Sequence, residues 1–358
     1  MAIVGAGVTG CACALGLAEG GLRVRVHEAR EVASGASGRN GGFALRGAAF
    51  PYHVARARLG RERAALLWRL TERALGRLSE LAGDAFRATG SLRLARDASE
   101  AAALEAECEA LNADGFAAEW RPEPGGRLDG LFERALFHPV DGAIHPARWV
   151  RRLARRAVAA GAEIRERDPV TSLSALEADR IVLATDGYTH GLLPALDGAV
   201  RPTRGQVIAT EPFAELVFPL PHYTYDSYVY WQQLEDGRLI LGGFRDRALD
   251  NEWTRDEGTT AVIQGALDAF ARRLMRAEPL VAGRWSGIFG TTEDLLPIVG
   301  AAPDRDDLWV SCGYSGHGNV LGFACGELVA NAMLGRPAPE LELFDPARAL
   351  AARPESRL

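Results

Sequence analysis

The 358-residue chain contains no lysine, and all 41 of its basic residues are arginines. Enzymes that form Schiff bases or anchor pyridoxal phosphate use the amine of a lysine side chain. Catalysis of either kind by a lysine of this chain is therefore excluded, which removes whole classes of enzyme.

Three other features that the sequence lacks narrow the class of protein. The net charge is −6 and no long basic tract occurs, so we expect no nucleic-acid partner. No apolar run reaches the roughly 20 residues that span a bilayer, so we expect no membrane partner. The five cysteines are an odd number and fit reduced thiols better than disulfides. These features predict a globular cytoplasmic protein.

The first ten residues, MAIVGAGVTG, contain a glycine pattern. Gly5, Gly7 and Gly10 have the GxGxxG spacing of a strand-to-helix turn that binds the pyrophosphate of a dinucleotide. The spacing alone is weak evidence, but Glu28 follows at the end of the next predicted strand, residues 22–29. A carboxylate there accepts hydrogen bonds from the ribose hydroxyls and disfavours a 2′-phosphate. We therefore predict a dinucleotide other than NADP.

Only residues 1–4 precede the first glycine of this turn. The strand that they form should be central in its sheet, where a longer strand is usual. We therefore expect that the start of the chain is trimmed or misassigned.

Two further glycine-rich segments indicate which dinucleotide is bound. The loop SGASGRNGG, residues 34–42, follows Glu28 where a nicotinamide enzyme would ordinarily continue with more strand–helix units. Together with the distant turn GYSGHG, residues 313–318, this chain resembles the D-amino-acid oxidase-like superfamily of FAD oxidoreductases, which includes glycine oxidase and sarcosine oxidase. The two segments look most like the gamma-glutamylputrescine oxidase branch, and the resemblance covers nearly the whole chain.

The resemblance implies an α/β fold with two domains. A Rossmann-like FAD-binding domain would comprise residues 1–85, 140–200 and 285–358. A mostly antiparallel α+β substrate domain would comprise residues 86–139 and 201–284. The strand-like runs with aromatic residues between 202 and 284 independently indicate an antiparallel sheet.

The resemblance also assigns residues to the cofactor. The ADP half would contact Gly5, Gly7, Gly10 and Glu28, with Ala29 and Arg30 beside the adenosine, Ser34 and Ser37 near the pyrophosphate, and Val170, on a short strand, at the adenine. Arg39, Asn40, Gly41 and Gly42 would follow the flavin ring. Gly316, His317, Gly318 and Asn319 would place a helix N-terminus at the pyrimidine edge of the flavin. Reduction puts negative charge on that edge, and the free amides of a helix N-terminus stabilise it.

The candidate catalytic residues are Arg39, Asn40, Tyr314 and His317, and no metal site is expected. Two of them also have simpler interpretations. Arg39 is alternatively a solvated loop arginine, and His317 is alternatively a turn histidine bonded to backbone.

Departures from the family pattern refine these expectations. Gly287 stands where sarcosine oxidase has a cysteine bonded to the flavin, and Arg39 stands where the dimethylglycine dehydrogenase branch has a bonded histidine. The FAD should therefore be non-covalent. Sarcosine oxidase activates dioxygen with a lysine, and Ile240 occupies the matching position. Fast reaction with dioxygen by that route is therefore in doubt.

The substrate pocket departs from the pattern as well. Relatives bind a substrate carboxylate through basic residues, but the matching positions here are Leu45, Gly316 and Val320. We therefore expect an amine whose charge, if any, is distant, rather than a small α-amino acid. Arginines 46, 204 and 245 remain candidates to reach the site, although a structural or surface role is the simpler interpretation of each.

The aromatic run that contains Tyr228, Tyr230 and Trp231 is the candidate pocket wall, together with Arg245. Strand alternation puts Tyr228 and Tyr230 on one face and Trp231 on the other, so we expect only one face to line the pocket. Such a run is equally often core. Tyr314 would cap the site from the final turn.

The sequence thus predicts an FAD enzyme that oxidises the C–N bond of a small primary or secondary amine, with dioxygen or another electron acceptor. Two alternatives stay open. One is an amino-acid dehydrogenase or oxidase, acting on D-amino acids, glycine or N-methylglycine. The other is a flavin-binding subunit without turnover.

Overall fold

The computed structural model describes residues 1–224 and 228–350. The described strands are β1 (Ala2–Val4), β2 (Arg25–His27), β3 (Phe43–Ala44), β4 (Phe86–Arg87), β5 (Ser91–Ala95), β6 (Glu119–Arg121), β7 (Arg134–His138), β8 (Gly142–Ile144), β9 (Glu163–Arg165), β10 (Ile181–Leu183), β11 (Arg201–Thr210), β12 (His222–Thr224), β13 (Val229–Gln233), β14 (Leu239–Gly243), β15 (Val281–Thr291), β16 (Ile298–Ala302) and β17 (Arg305–Cys312). The described helices are α1 (Val8–Glu19), α2 (Ala36–Arg39), α3 (Tyr52–Leu59), α4 (Arg61–Ala82), α5 (Ala98–Ala113), α6 (Pro146–Ala159), α7 (Leu249–Glu252), α8 (Ala261–Met275), α9 (Leu321–Met333) and α10 (Ala347–Leu350).

A six-stranded sheet carries the glycine turn. Its strand order is β16-β17-β10-β1-β2-β9. The short strand β1 is central and pairs in parallel with both β10 and β2. Parallel strands buried on both faces need apolar residues throughout, and Ala2, Ile3 and Val4 are all buried.

Helices α1 and α9 pack closely against each other because small residues face each other between them. A Cβ added to Gly326 would lie 2.5 Å from the carbonyl oxygen of Thr9, and one added to Gly16 would lie 2.8 Å from the Cβ of Ala330. Larger residues would push the helices apart. This packing brings the first and the last glycine turns of the chain to the same end of the sheet.

The second sheet has eight strands in the order β15-β11-β14-β13-β12-β5-β7-β6. Its pairings are antiparallel, except that β12 and β5 run parallel. Helix α8 packs on one face through buried residues that include Leu267, Phe270 and Leu274. A third small sheet has the order β3-β8-β4. The predicted α/β fold class is confirmed, whereas the exact division into two domains stays a prediction.

Several local predictions differ from the structure. The segment around Val170 is not a strand but an irregular connection after β9. The helices α3 and α8 were not predicted, because glycine, arginine and threonine residues around them obscure the apolar period. Strand β2 is shorter than the predicted residues 22–29, and α9 begins at Leu321, two residues after Asn319.

Among residues 1–224 and 228–350, no helix combines the length and the apolar character needed to cross a membrane. All five cysteines are buried and free. Burial raises the pKa of the Cys11 and Cys13 thiols to about 12. They therefore behave as small apolar residues between α1 and its neighbours.

Candidate active site

One cavity of about 670 Å³ reaches from the glycine turn to the second sheet. Its walls include Gly7, Val8 and Thr9 at the start of α1, and Gly316, His317, Gly318 and Asn319 before α9. The loop residues Ser37, Arg39, Asn40 and Gly41 and the pocket residues Tyr228, Tyr230, Arg245 and Tyr314 also line it. Segments that are far apart in the sequence therefore meet at one site.

The first glycine turn tolerates almost no side chain. Gly5 has a φ of +103°, a conformation that favours glycine. A Cβ at Gly10 would lie only 1.9 Å from the carbonyl oxygen of Gly5, and a Cβ at Gly7 would lie 2.9 Å from Ser37 Oγ. The N–H of Val8 donates to Ser37 Oγ at 3.1 Å. The backbone thus leaves the N-terminus of α1 open to an anion.

Glu28 lies directly beside this turn, at the end of β2. Its carboxylate accepts hydrogen bonds from the N–H of Ala6 at 2.8 Å and from the N–H of Arg30 at 2.9 Å. A carboxylate accepts about four hydrogen bonds, so capacity remains for ribose hydroxyls. The positions of Glu28 and of the glycine turn fit the ADP half of FAD.

The second helix N-terminus faces the same cavity. The N–H groups of Gly318, Asn319 and Val320 donate to no other residue of the described ranges, as expected for the first turn of a helix. They fit the edge of a flavin on which negative charge develops. Two open helix N-termini at one cavity match a cofactor that has a pyrophosphate at one end and a flavin at the other.

The loop and the final turn are joined by an amide pair. The side chains of Asn40 and Asn319 donate to each other's oxygens at 3.0 Å. Asn40 Nδ2 also contacts the carbonyls of Ala36 and Ser37, and Asn319 Nδ2 donates to the carbonyl of Phe43 at 2.7 Å. We infer that Asn40 positions the loop.

Arg39 is anchored rather than solvated. Its Nη1 donates to Glu257 at 2.6 Å, and Arg30 Nη1 donates to both oxygens of the same carboxylate at 2.8 Å. The hydroxyl of Tyr188 donates to Glu257 as well. Burial favours a higher pKa for Glu257, but hydrogen bonds from Tyr188, Arg30 and Arg39 outweigh it and lower the pKa. Sequence reasoning missed Glu257, because its partners lie 69 to 227 residues away in the chain.

Tyr314 is buried and holds elements together. Thr9 Oγ1 donates to its hydroxyl at 3.1 Å, and Ser311 Oγ lies 2.7 Å from the same oxygen. Burial raises the pKa of Tyr314 well above its usual value. The phenol therefore stays neutral and links α1 to the last strand.

His317 is neutral near pH 7. Burial and, next, the charge of Arg245 lower the pKa of His317 to about 4. Its backbone N–H donates to the carbonyl of Tyr314 at 2.9 Å, and its ring nitrogen Nδ1 has no partner among the described residues. His317 lines the cavity, and this ring nitrogen is buried.

Arg245 is the cation of the substrate end. Its guanidinium lies 4.4 Å from the ring centre of Tyr228 and 5.4 Å from that of Phe289. No carboxylate within residues 1–224 and 228–350 forms an ion pair with it. Desolvation lowers the pKa of Arg245, but an arginine remains charged. A positive charge of the protein therefore faces the cavity between aromatic rings.

Tyr230 lies between the Arg245 guanidinium and the loop of residues 39–42. A Cβ at Gly41 would lie 2.7 Å from the Tyr230 ring, and Phe43 packs on it edge-on with ring centres 5.6 Å apart. Trp231 lies on the opposite face of β13. It is fully buried against Phe132, His222 and Phe270. The predicted pocket role of Trp231 is therefore corrected to a core role, because strand alternation directs it away from the cavity.

The other predicted residues fall into two groups. The predicted residues that are absent from the cavity wall are Gly5, Gly10, Glu28, Ala29, Arg30, Ser34, Gly42 and Val170, whereas Leu45, Gly287, Gly316 and Val320 line it. A Cβ at Gly287 would lie 3.4 Å from Ala36 Cα and from Arg39 Cβ. Arg204 pairs with Glu252, and Arg46 pairs with Glu72, so both arginines have structural partners.

The fold and the cavity define a dinucleotide-binding flavoprotein with a separate substrate wall. The family model described as FAD dependent oxidoreductase (DAO) matches residues 1–332, and the chain belongs to this family of enzymes. FAD is its cofactor, as the sequence predicts. The predicted superfamily is confirmed.

Relatives extend over almost all of the chain. A probable oxidoreductase OrdL of Rhizobium meliloti (strain 1021) is 30% identical over 371 residues, which cover 96% of this chain and 85% of the relative. The gamma-glutamylputrescine oxidoreductase of Escherichia coli (strain K12) is 27% identical, over 96% of this chain and 84% of its own. Among solved structures, glycine oxidase from Geobacillus kaustophilus has a TM-score of 0.78 at 25% identity and covers 97% of this chain and 98% of its own.

Proposed function

We propose that this enzyme oxidises a primary or secondary amine with non-covalently bound FAD, and that the imine product is then hydrolysed by water. The supporting observation is the single cavity in which the open N-terminus of α9 faces the aromatic and cationic wall of Tyr228, Tyr230 and Arg245. When bound, FAD supplies a two-electron acceptor that takes a hydride from the carbon beside the amine nitrogen.

The protein's contribution is to hold the amine neutral. Only an unprotonated amine has the lone pair that drives the reaction, and an alkylamine with a pKa of about 10 needs about 4 kcal/mol to lose its proton at pH 7. A dry aromatic wall and the Arg245 cation both disfavour an ammonium ion. The lowered pKa of His317, with burial first and Arg245 next among its causes, shows the same environment acting on this chain's own residue.

No general base is needed in this scheme, and no carboxylate of the described residues forms an ion pair at the Arg245 end. Arg39, held by Glu257, and the N–H groups of residues 318–320 would instead face the flavin. There they would stabilise the charge that develops on reduction. Gly287 offers no cysteine for attachment, which supports a non-covalent cofactor.

Arg245 also supports a second candidate, oxidation or dehydrogenation of an amino acid. A partly buried guanidinium that forms no ion pair within the described residues is suited to bind a carboxylate. The glycine oxidase likeness is compatible with this alternative. The absence of lysine favours an electron acceptor other than dioxygen for either candidate. Flavin binding without turnover remains as a third candidate.

The test is an anaerobic screen of the purified, FAD-loaded protein against alkylamines, N-methyl amino acids and D-amino acids. We expect amines to bleach the flavin band at about 450 nm. Air is then admitted, and peroxide is assayed to separate dioxygen from other acceptors. Bleaching by amino acids alone would contradict the proposal in favour of the second candidate, and no bleaching by any compound would support the third.

A further inference from the structure

The active-site cavity has a second polar end, formed by side chains that the proposed reaction does not use. This distal pocket consists of Arg46, His53, Arg93, Glu107, His138 and Asp141, and all six residues line the same cavity. They come from the loop before α3, from α3 and α5, and from β5, β7 and the turn after β7.

The pairing of strands in the second sheet gives the distance between the distal pocket and the wall formed by Tyr228, Tyr230 and Arg245, which we call the flavin wall. Tyr230 pairs with Tyr223 on β12, and Tyr223 pairs with Arg93 on β5. His138 on β7 faces Ser91, two residues from Arg93 and on the same face. Because adjacent strands are about 4.8 Å apart, the backbone of Arg93 lies roughly 10 Å from that of Tyr230, and His138 roughly 14 Å.

The two arginines of the distal pocket are already paired with carboxylates. Arg93 Nη1 donates to Glu107 at 2.6 Å, and Arg46 Nη1 donates to Glu72 at 2.5 Å. Asp141 accepts hydrogen bonds from the backbone N–H of Arg46 at 2.8 Å and from Ser91 Oγ at 2.6 Å. A carboxylate would therefore find no arginine of the distal pocket without an acidic partner, and an ammonium has no lone pair for the unpartnered Nε–H of Arg46.

Three polar atoms of the distal pocket are buried without a partner. Arg46 Nε, His53 Nδ1 and His138 Nε2 form no hydrogen bond within the described residues. Arg46 and His138 are only 7% and 6% exposed. Burial is the largest cause that lowers the pKa of both histidines, so both imidazoles are neutral near pH 7. Neutral imidazole nitrogens donate or accept according to tautomer, and arginine Nε donates.

We propose that the distal pocket binds an uncharged group of the substrate that both donates and accepts hydrogen bonds, namely a hydroxyl or a carboxamide. Such a group satisfies the three free atoms without disturbing the existing ion pairs. The substrate is then an amine that carries this polar group at the far end of its chain. The inference rests on the proposed function, because the amine must reach the flavin wall at the same time.

The test uses alkylamines of matched length with a terminal methyl, hydroxyl, carboxamide, carboxylate or ammonium group. The roughly 10 to 14 Å separates backbones, and side chains project into the cavity from both ends, so chains of about four to eight carbons suit the shorter gap between them. Anaerobic flavin reduction by the FAD-loaded enzyme gives an apparent Kd for each amine. We expect the hydroxyl or the carboxamide to bind about tenfold more tightly than the methyl end. The charged ends should bind no better than the methyl end.

Three variants test whether the preference for a polar, uncharged end arises in the distal pocket. His53→Phe and His138→Phe keep a flat ring but remove the ring nitrogens, and each should reduce the preference for the polar end. His53 is half-buried on α3, so its variant provides a test if the His138 variant fails to fold. His222→Phe is the matched control, because His222 is also buried with an unpartnered Nδ1 but does not line the cavity.

Binding of unreactive amides and alcohols to the resting holoenzyme, measured by calorimetry, separates this inference from the proposed reaction. Binding that His53→Phe weakens would support the distal pocket even if no amine were oxidised. Amine oxidation without any preference among uncharged ends would overturn the inference and leave water as the occupant. A preference for the carboxylate or the ammonium end would overturn it as well.

Discussion

The cofactor end and the substrate end of the cavity are built in different ways. At the cofactor end, two short glycine turns present backbone N–H groups, and the glycines of the first turn leave little room for a side chain. At the substrate end, side chains from several strands and helices supply rings, charges and neutral imidazoles. Backbone geometry therefore governs the binding of FAD, whereas side chains distant in sequence govern the choice of substrate.

The largest expected effect is at the glycine turn. Gly10→Ala places a Cβ 1.9 Å from the Gly5 carbonyl oxygen, so the turn must open and FAD binding should weaken by about 100-fold or more. Retention of the yellow colour through gel filtration, with a fluorescence titration of the apoprotein, measures this loss. Gly76→Ala on α4 is the control, since a Cβ there meets no atom within 4 Å. Equal FAD affinity in the two variants would contradict the close packing described here.

The second-largest effect is expected for the Arg245→Met variant at the substrate end, which should still bind FAD. Arg245→Met removes the cation, so the pKa of a bound amine and that of His317 should rise. Below the pKa of the bound amine, each unit of increase lowers the neutral fraction tenfold. Anaerobic flavin reduction at pH 7 should therefore slow by about tenfold, and the difference from the wild type should disappear above about pH 10.

A pH profile of the reduction rate, measured for the wild type and the Arg245→Met variant, provides this comparison. A uniform loss of rate at every pH would show that Arg245 orients the substrate instead of adjusting its protonation. A loss confined to amino-acid substrates would favour the second candidate function.

Glu257 anchors Arg30 and Arg39 at the cofactor end, so its removal should have a smaller effect on FAD binding. Glu257→Gln keeps the shape but weakens the ion pairs to Arg30 and Arg39. We expect FAD affinity to fall by about three- to tenfold. Glu278→Gln at an exposed pair with Arg272 is the control and should change nothing.

A fall in pH should reproduce the loss of stability that the Glu257→Gln substitution causes. Because the pKa of Glu257 is lowered in the folded protein, its stabilisation is complete above the pKa of an ordinary glutamate and is lost as the pH falls through the lowered value. The thermal stability of the wild type and of Glu257→Gln should therefore converge at acid pH. A constant difference between them down to the lowest pH would contradict this assignment.

The smallest functional effect should come from the far face of β13. Trp231→Phe removes packing in the core at a cost of about 1 to 3 kcal/mol, but it should not alter the order of preference among amines. Thermal denaturation and the anaerobic screen together test both statements. A changed substrate order would return Trp231 to the pocket.

The first glycine turn and the carboxylate beside it could be predicted from the sequence because their determinants are local, whereas the residues that contact FAD stay a prediction. The spacing of Gly5, Gly7 and Gly10 and the position of Glu28 follow from two strands with one turn and one helix between them. The substrate end was predicted only in part. Strand alternation correctly separated Tyr230 from Trp231 but did not say which of them faces the cavity, because that depends on which side α8 covers.

Contacts between residues that are distant in sequence could not be predicted either, because they depend on how the elements pack. The contact between Arg39 and Glu257 joins residues 218 positions apart. His53 and His138 carry no motif, and their importance follows from the shared burial of ring nitrogens that only packing produces. Arg46, Arg204 and Arg245 look alike in sequence, yet the acidic neighbours of the first two leave Arg245 as the cation that faces the flavin wall.

The central claim is that the FAD of this enzyme is reduced by an amine. Its most direct measurement is the anaerobic absorbance of the holoprotein at about 450 nm after a single addition of an alkylamine, with the carbonyl product quantified afterwards. The account predicts loss of the band with one equivalent of aldehyde or ketone per flavin. A band that survives every amine, or that bleaches without a carbonyl product, would contradict it.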